Sequence, residues 1–226
     1  MNVKMLPLGV LAVLMISCGP VFGATVLIDP THNNGSFEYA DGVLSTAKIG
    51  FDVTPDIDNW TQWTEVSPTA KNSGVENISS HASDGVMIAY LEHPDAIKNM
   101  TTWIAQEGDT FDFSWDHVQR DSRAHRVGLV YDDGGTFTSI AASEVYSTDP
   151  SPAIPFTYTG SFTVAAGSPV IGHAIGLGLF ASDSEGGGYP EVDNFILTVT
   201  PVPEPTSIVL MGLALVGLVA VRRSRG

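Results

Sequence analysis

Between Ala24 and Val199 apolar and polar residues alternate in short runs, and no long stretch repeats at helical spacing. The clearest period of two runs from Phe156 to Val164, where Phe156, Tyr158, Phe162 and Val164 share one side and Thr157, Thr159, Ser161 and Thr163 the other. Phe111, Phe113 and Trp115 alternate with Asp112, Ser114 and Asp116 in the same way. Runs rich in Val, Ile, Phe, Tyr, Thr and Trp, broken by Gly, Pro, Asn and Asp, predict further strands at 26–28, 47–53, 60–66, 86–91, 127–131, 170–180 and 192–199. Asp132-Asp133-Gly134-Gly135 has hairpin chemistry, because glycine accepts the positive φ such turns require. Eight or more short strands with one wet face predict an all-β chain, two antiparallel sheets packed as a β-sandwich.

The ends of the chain follow other rules. Residues 1–23 have one charge, Lys4, an apolar run at 6–16, and Val21-Phe22-Gly23 ahead of Ala24, the order of a signal peptide removed by signal peptidase. A core segment is one alternative to that reading, and lipidation at Cys18, behind Met15-Ile16-Ser17, is another. At the other end, Pro201-Val202-Pro203-Glu204-Pro205 is stiff and extended, 206–221 is uncharged and apolar, and Arg222, Arg223 and Arg225 close the chain. An apolar run followed by arginines is the pattern of a membrane stop and predicts a single transmembrane helix. Sixteen helical residues span only about 24 Å at ~1.5 Å each, against a hydrocarbon core of roughly 30 Å. Such a thin span suits transient retention as well as a lasting anchor. The expected organisation is therefore a signal at 1–23, a sandwich domain at 24–200, and an anchor segment at 201–226.

Pro203-Glu204-Pro205, then the apolar helix, then Arg-Arg-Ser-Arg-Gly at the terminus, resembles the PEP-CTERM sorting signal. That resemblance covers only residues 203–226. It implies an exported protein held in the inner membrane until an exosortase, a membrane cysteine protease, acts near the motif. It further implies a cell-surface or matrix destination in a bacterium that makes extracellular polysaccharide.

Charge and cysteine content narrow the remaining choices. Between Ala24 and Pro201 lie six basic and 24 acidic residues, a net charge of −18. Nucleic acid needs a basic face, so a nucleic-acid partner is not expected. The only cysteine, Cys18, lies in the signal, so the exported domain has no disulfide, thiolate metal site or cysteine nucleophile. The 178 residues from Ala24 to Pro201 suit one domain with a full core.

A second resemblance covers most of that domain. Asn34-Gly35-Ser36-Phe37-Glu38, Asp109-Thr110-Phe111-Asp112-Phe113-Ser114-Trp115 and Val192-Asp193-Asn194-Phe195-Ile196-Leu197 look like the opening, central and closing segments of jelly-roll carbohydrate-binding modules. In those modules the first and last strands lie side by side, often with a structural calcium between them. The resemblance implies Glu38 and Asp193 as the carboxylate ligands, completed by nearby carbonyls, since Ca²⁺ takes six to eight hard oxygens at roughly 2.3–2.6 Å. The alternative is that Glu38 caps a turn and Asp193 faces water.

Trp60 and Trp63 stand three apart, so on a strand they face opposite sides, one toward the core and one able to carry a sugar ring. Core packing is the competing reading for each. The run 117–126 holds three of the domain's six positive charges and reads as a solvated loop paired with acids, or alternatively as a site for an anionic polymer. The six histidines form no zinc spacing, no Gly-x-Ser-x-Gly elbow is present, and no enzyme is expected. The expected function is a non-catalytic surface or matrix protein associated with exopolysaccharide. The alternative is a carbohydrate-binding module that reads a glycan through exposed aromatics.

Overall fold

The computed structural model describes residues 23–51, 56–64, 73–118, 124–147, 155–181 and 189–202. The signal at 1–22, and the tail with Pro203, Glu204, Pro205, Arg222, Arg223 and Arg225, lie outside the described residues. Contacts divide the chain into two units, and Ala24–Pro201 forms one of them. Among the described residues no helix is long and apolar enough to cross a membrane.

The strands are Thr25–Ile28 (β1), Tyr39–Ala40 (β2), Val43–Leu44 (β3), Ile49–Gly50 (β4), Trp60–Gln62 (β5), Gly74–Asn77 (β6), Met87–Tyr90 (β7) and Ala96–Ile104 (β8). After these come Thr110–His117 (β9), His125–Asp133 (β10), Thr136–Ser139 (β11), Val145–Tyr146 (β12), Phe156–Thr163 (β13), Ala174–Ala181 (β14) and Glu191–Thr200 (β15). A 3-10 turn at Ala141–Ser143 joins β11 to β12.

Two antiparallel sheets form the sandwich that the pattern predicted, of the jelly-roll type that the second resemblance implied. One runs β13-β9-β15-β7-β6-β4, with β1 also on β15, and the other runs β11-β10-β14-β8-β5, with β12 beside β10. The first and last strands are neighbours, Thr25 opposite Val199 and Val26 opposite Thr198. The alternation at 111–115 does what its period demands, since Phe111, Phe113 and Trp115 point inward and are buried. They meet Val127, Leu129, Leu177 and Leu179 of the opposite sheet in one apolar core. The Asp-Asp-Gly-Gly hairpin also forms, with Asp133 opposite Thr136 and positive φ at Gly134 (62°) and Gly135 (97°).

Three expectations need correction. Among the described residues of 47–53 only the two-residue β4 forms, and 170–180 becomes a strand only from Ala174. The nine-residue β8, beside β14 in the second sheet, has no counterpart among the predicted strands. Its polar Asn99 is completely buried, its amide donating to the Asn33 carbonyl at 2.6 Å, while Ala96 and Met100 pack into an apolar cluster separate from the main core. Period two is thereby hidden.

Candidate functional site

The opening and closing jelly-roll segments meet at the start of β15. The N–H of Phe195 donates to the Gly35 carbonyl at 2.8 Å, and the N–H of Gly35 donates to the Asp29 carbonyl at 2.9 Å. Asn34, Phe37 and Asn194 all hold positive φ, at 53°, 62° and 53°. Asn194 and Phe195 stand between the Asp193–Asp116 and Ile196–Ser114 pairs, where the β15–β9 register shifts. This β-bulge turns Phe195 into the core. There its ring lies 5.7 Å from Phe37 and 5.0 Å from Trp60, whose indole N–H donates to the Asn34 carbonyl at 2.8 Å.

Glu38 and Asp193 are brought to one loop, residues 78–86 between β6 and β7. Glu38 Oε1 accepts the N–H groups of Val86 (2.8 Å) and Met87 (2.7 Å). Asp193 Oδ2 accepts the N–H groups of Ser83 (2.8 Å) and Asp84 (2.9 Å) and the Ser83 hydroxyl (3.2 Å), and Oδ1 accepts the N–H of Asn194 (2.7 Å). In the same loop His81 Nδ1 lies 3.0 Å from Glu191 Oε2. Glu38 is nearly buried and Asp193 completely so, which excludes the reading in which Asp193 faces water. Burial pushes the Asp193 carboxyl up to about 7, against the opposing pull of these donors.

The donor set bears on calcium. A hard cation needs oxygen lone pairs, whereas the groups aimed at these two carboxylates are five N–H donors and one O–H. Among the described residues no group of three or more His, Cys, Asp or Glu is placed to hold a metal. As placed, Glu38 and Asp193 fit a clasp for the loop, and a cation there would have to displace these donors.

The two tryptophans do face opposite sides, but neither is a sugar platform. Trp60 is 2% exposed and lies in the main core, whereas Trp63 is 1% exposed and packs with Ala96, Val130 and Phe180 in the second cluster. The Trp63 ring lies 4.9 Å from that of Phe180, tilted at 48°, and covers Gly178, where a Cβ would meet it at 2.9 Å. Apolar neighbours on both faces of the second sheet remove both rings from solvent.

The run 117–126 is also corrected at its two described ends. His117 and His125 are buried, their rings 4.9 Å apart, and the Trp115 indole N–H donates to His125 Nε2 at 2.8 Å. Arg126 pairs with Glu144 at 3.0 Å and covers the Phe180 ring at 4.2 Å, so it behaves as the acid-paired reading expected.

Two exposed features were not among the candidate sites, although the polar side of the first was visible in the alternation. The outer face of β13-β9-β15 presents cross-strand rows Thr163-Thr110-Thr200, Ser161-Asp112-Thr198 and Thr159-Ser114-Ile196, with the Thr110 and Thr163 hydroxyls 3.0 Å apart. A cleft of about 440 Å³ is lined from Tyr131, from 139–142, from 162–163 and from 165–170. The alanine pairs 141–142 and 165–166 were its only signal in the chain, small residues that leave space.

Known proteins resemble this chain in its tail and in its sandwich. Residues 201–224 match the PEP-CTERM protein-sorting motif. This motif implies export, a membrane-anchored sorting intermediate and processing by an exosortase. No curated protein matches the chain. Among solved structures, the Stig cyclase Fisc from Fischerella sp. TAU, in complex with (3Z)-3-(1-methyl-2-pyrrolidinylidene)-3H-indole, is similar to this chain with a TM-score of 0.61 and 16% identity. The match covers 79% of this chain and 99% of the cyclase. A second Fischerella sp. TAU cyclase structure, with 4-(1H-indol-3-yl)butan-2-one, gives a TM-score of 0.57 at 16% identity over 77% of this chain and 98% of that one. The CBM22-1 xylan-binding domain from Paenibacillus barcinonensis is more distant, with a TM-score of 0.47 and 12% identity over 80% and 97%. At these identities the cyclase likeness establishes the sandwich fold and nothing of its chemistry.

Proposed function

We propose that this chain is a non-catalytic surface or extracellular-matrix protein, sorted by an exosortase through its tail and associated with exopolysaccharide. The observation that carries the reading is the PEP-CTERM match at residues 201–224. The exported part supports it physically. A net charge of −18 keeps the domain soluble outside the cell, and the hydroxyl rows on β13-β9-β15 suit a hydrated, sugar-rich surrounding. Glu38 Oε1 and Asp193 Oδ2 accept backbone donors, a structural use of carboxylates. Signal peptidase, the exosortase and the membrane are the partners of its passage, and polysaccharide is the partner at its destination.

The test is to express the full chain in hosts with and without an exosortase, then fractionate. The expected outcome is a shortened species outside the cell in the first host and a longer, membrane-associated species in the second. Intact protein in the cytosol of both hosts, with both termini unprocessed, would overturn the proposal.

A glycan-binding module is the second reading, and exposed aromatics favour it. Tyr146 and Phe156 are each about half exposed, on β12 and β13. A pull-down with the Ala24–Pro201 unit separates the two readings, since sugar-competed binding that is lost on Tyr146→Ala or Phe156→Ala selects the second.

A further inference from the structure

The cleft lies where the edge strand β13 of one sheet passes the 3-10 turn that follows β11 at the edge of the other. Its volume of about 440 Å³ falls within the range of small-ligand sites, roughly 300–1,000 Å³. Rings line it, Phe162 at the end of β13 and Tyr131 on β10, while exposed Ala142 and Ala166 keep its walls low. The turn carrying Ala166 is closed by the Ser168 N–H donating to the Ala165 carbonyl at 3.1 Å, with Gly167 at φ 72°. That closure sets Ser168 in the lining.

Three properties of the lining restrict the ligand. First, no lining residue is charged, although the domain carries −18 overall. An anionic polymer would meet repulsion without a local cation to offset it. Second, the hydroxyls of Tyr131 and Ser168 make no hydrogen bond among the described residues, so a purely apolar guest would strip them of water and return nothing. Third, the remaining lining is largely apolar, which disfavours a guest that is polar on every side. A neutral pyranose meets all three conditions, since it has a C–H face for a ring and a rim of hydroxyls for donors and acceptors.

We propose that this cleft binds a neutral sugar unit of an extracellular polysaccharide, its C–H face on Phe162 and Tyr131 and its hydroxyls on Tyr131 Oη and Ser168 Oγ. This rests on the polysaccharide association proposed above and adds the site and the ligand class. Ala142→Trp places a large ring into the cleft from an exposed position, and Tyr131→Phe removes one hydroxyl while keeping the ring.

The test is calorimetric titration of the Ala24–Pro201 unit, which forms its own compact unit with its own core, with neutral xylo-, gluco- and manno-oligosaccharides, a uronic-acid oligomer, and indole. The site predicts binding of at least one neutral oligosaccharide. Ala142→Trp should weaken it at least about tenfold, and Tyr131→Phe about three- to tenfold, one hydrogen bond being worth ~0.5–1.5 kcal/mol. Melting temperatures of both variants report that they fold. Neutral-sugar binding untouched by both folded variants would assign it to another surface and overturn the cleft. Binding only of indole or of the uronic oligomer, or of none of the probes, would also overturn it. Fractionation of the full-length Ala142→Trp protein keeps the two proposals apart: surface delivery with lost sugar affinity supports both, and failed delivery of the wild type counts against the function alone.

Discussion

Gly35 and Phe195 approach so closely that a Cβ on residue 35 would sit 2.3 Å from the Phe195 carbonyl oxygen. The contact is backbone to backbone, on both sides of the Phe195 N–H bond to Gly35, so no side-chain rotation relieves it. Gly35→Ala should therefore destabilise the Ala24–Pro201 unit by about 3 kcal/mol or more, at the upper end for overpacked sites. Urea unfolding checks this as a lower midpoint at unchanged m-value.

The loop at 78–86 offers a second test. Removing the Glu38 carboxylate strands the N–H groups of Val86 and Met87, and Glu38→Ala should lower stability by about 2–3 kcal/mol. With the clasp made of N–H and O–H donors and no cation, excess EGTA should leave the wild-type melting curve unchanged. A fall in melting temperature under EGTA would instead restore calcium to Glu38 and Asp193, because a ligand bound only by the folded state stabilises it.

Asp193 predicts a pH effect with a definite sign. Its folded-state value of about 7 lies above the ordinary 3.8, so between those values the folded chain holds a proton that the unfolded chain has released. The contribution to stability is full below about pH 4 and is lost as pH rises through about 7. The expected change is a few kcal/mol, read as the difference in pH slope between wild type and Asp193→Asn across that window. Parallel slopes for the two proteins would show that Asp193 does not titrate there.

Trp63 separates packing from recognition. Buried against Phe180, Ala96 and Val130, it should cost about 3–5 kcal/mol when changed to Ala, whereas Trp63→Phe should be far milder and leave sugar affinity unaltered. Lost affinity in a folded Trp63→Phe protein would return the tryptophan to the binding surface.

What could be read from the chain alone follows from where period two survives. At 111–115 and 156–163 each strand has one greasy and one wet side, and the sandwich and its hairpin were visible at once. In β8 the rule inverts, because the second sheet buries apolar residues on its outer side as well, leaving Lys98 only 6% exposed and over the Phe137 ring at 4.1 Å. The same outer cluster buries Trp63, so spacing told which way that ring points but not what covers it. Glu38 and Asp193 were found through short motifs, yet their shared loop was not, since most of the donors they hold are backbone N–H groups, of residues 83, 84, 86, 87 and 194, which any side chain could accompany. The cleft escaped because its walls are defined by small residues, and absence of bulk leaves almost no mark in a sequence.

Because β15 leads directly toward residue 202, tension on the tail enters the domain along this strand. It is zipped to β9 over most of its length, with β1 and β7 on its other edge. A pull along its axis loads those ladders lengthwise, so many hydrogen bonds must yield together rather than one after another. A molecule tethered by its tail and tugged by flowing polymer would thus be gripped through a strand laced along both edges, a place where such an attachment is hard to tear out.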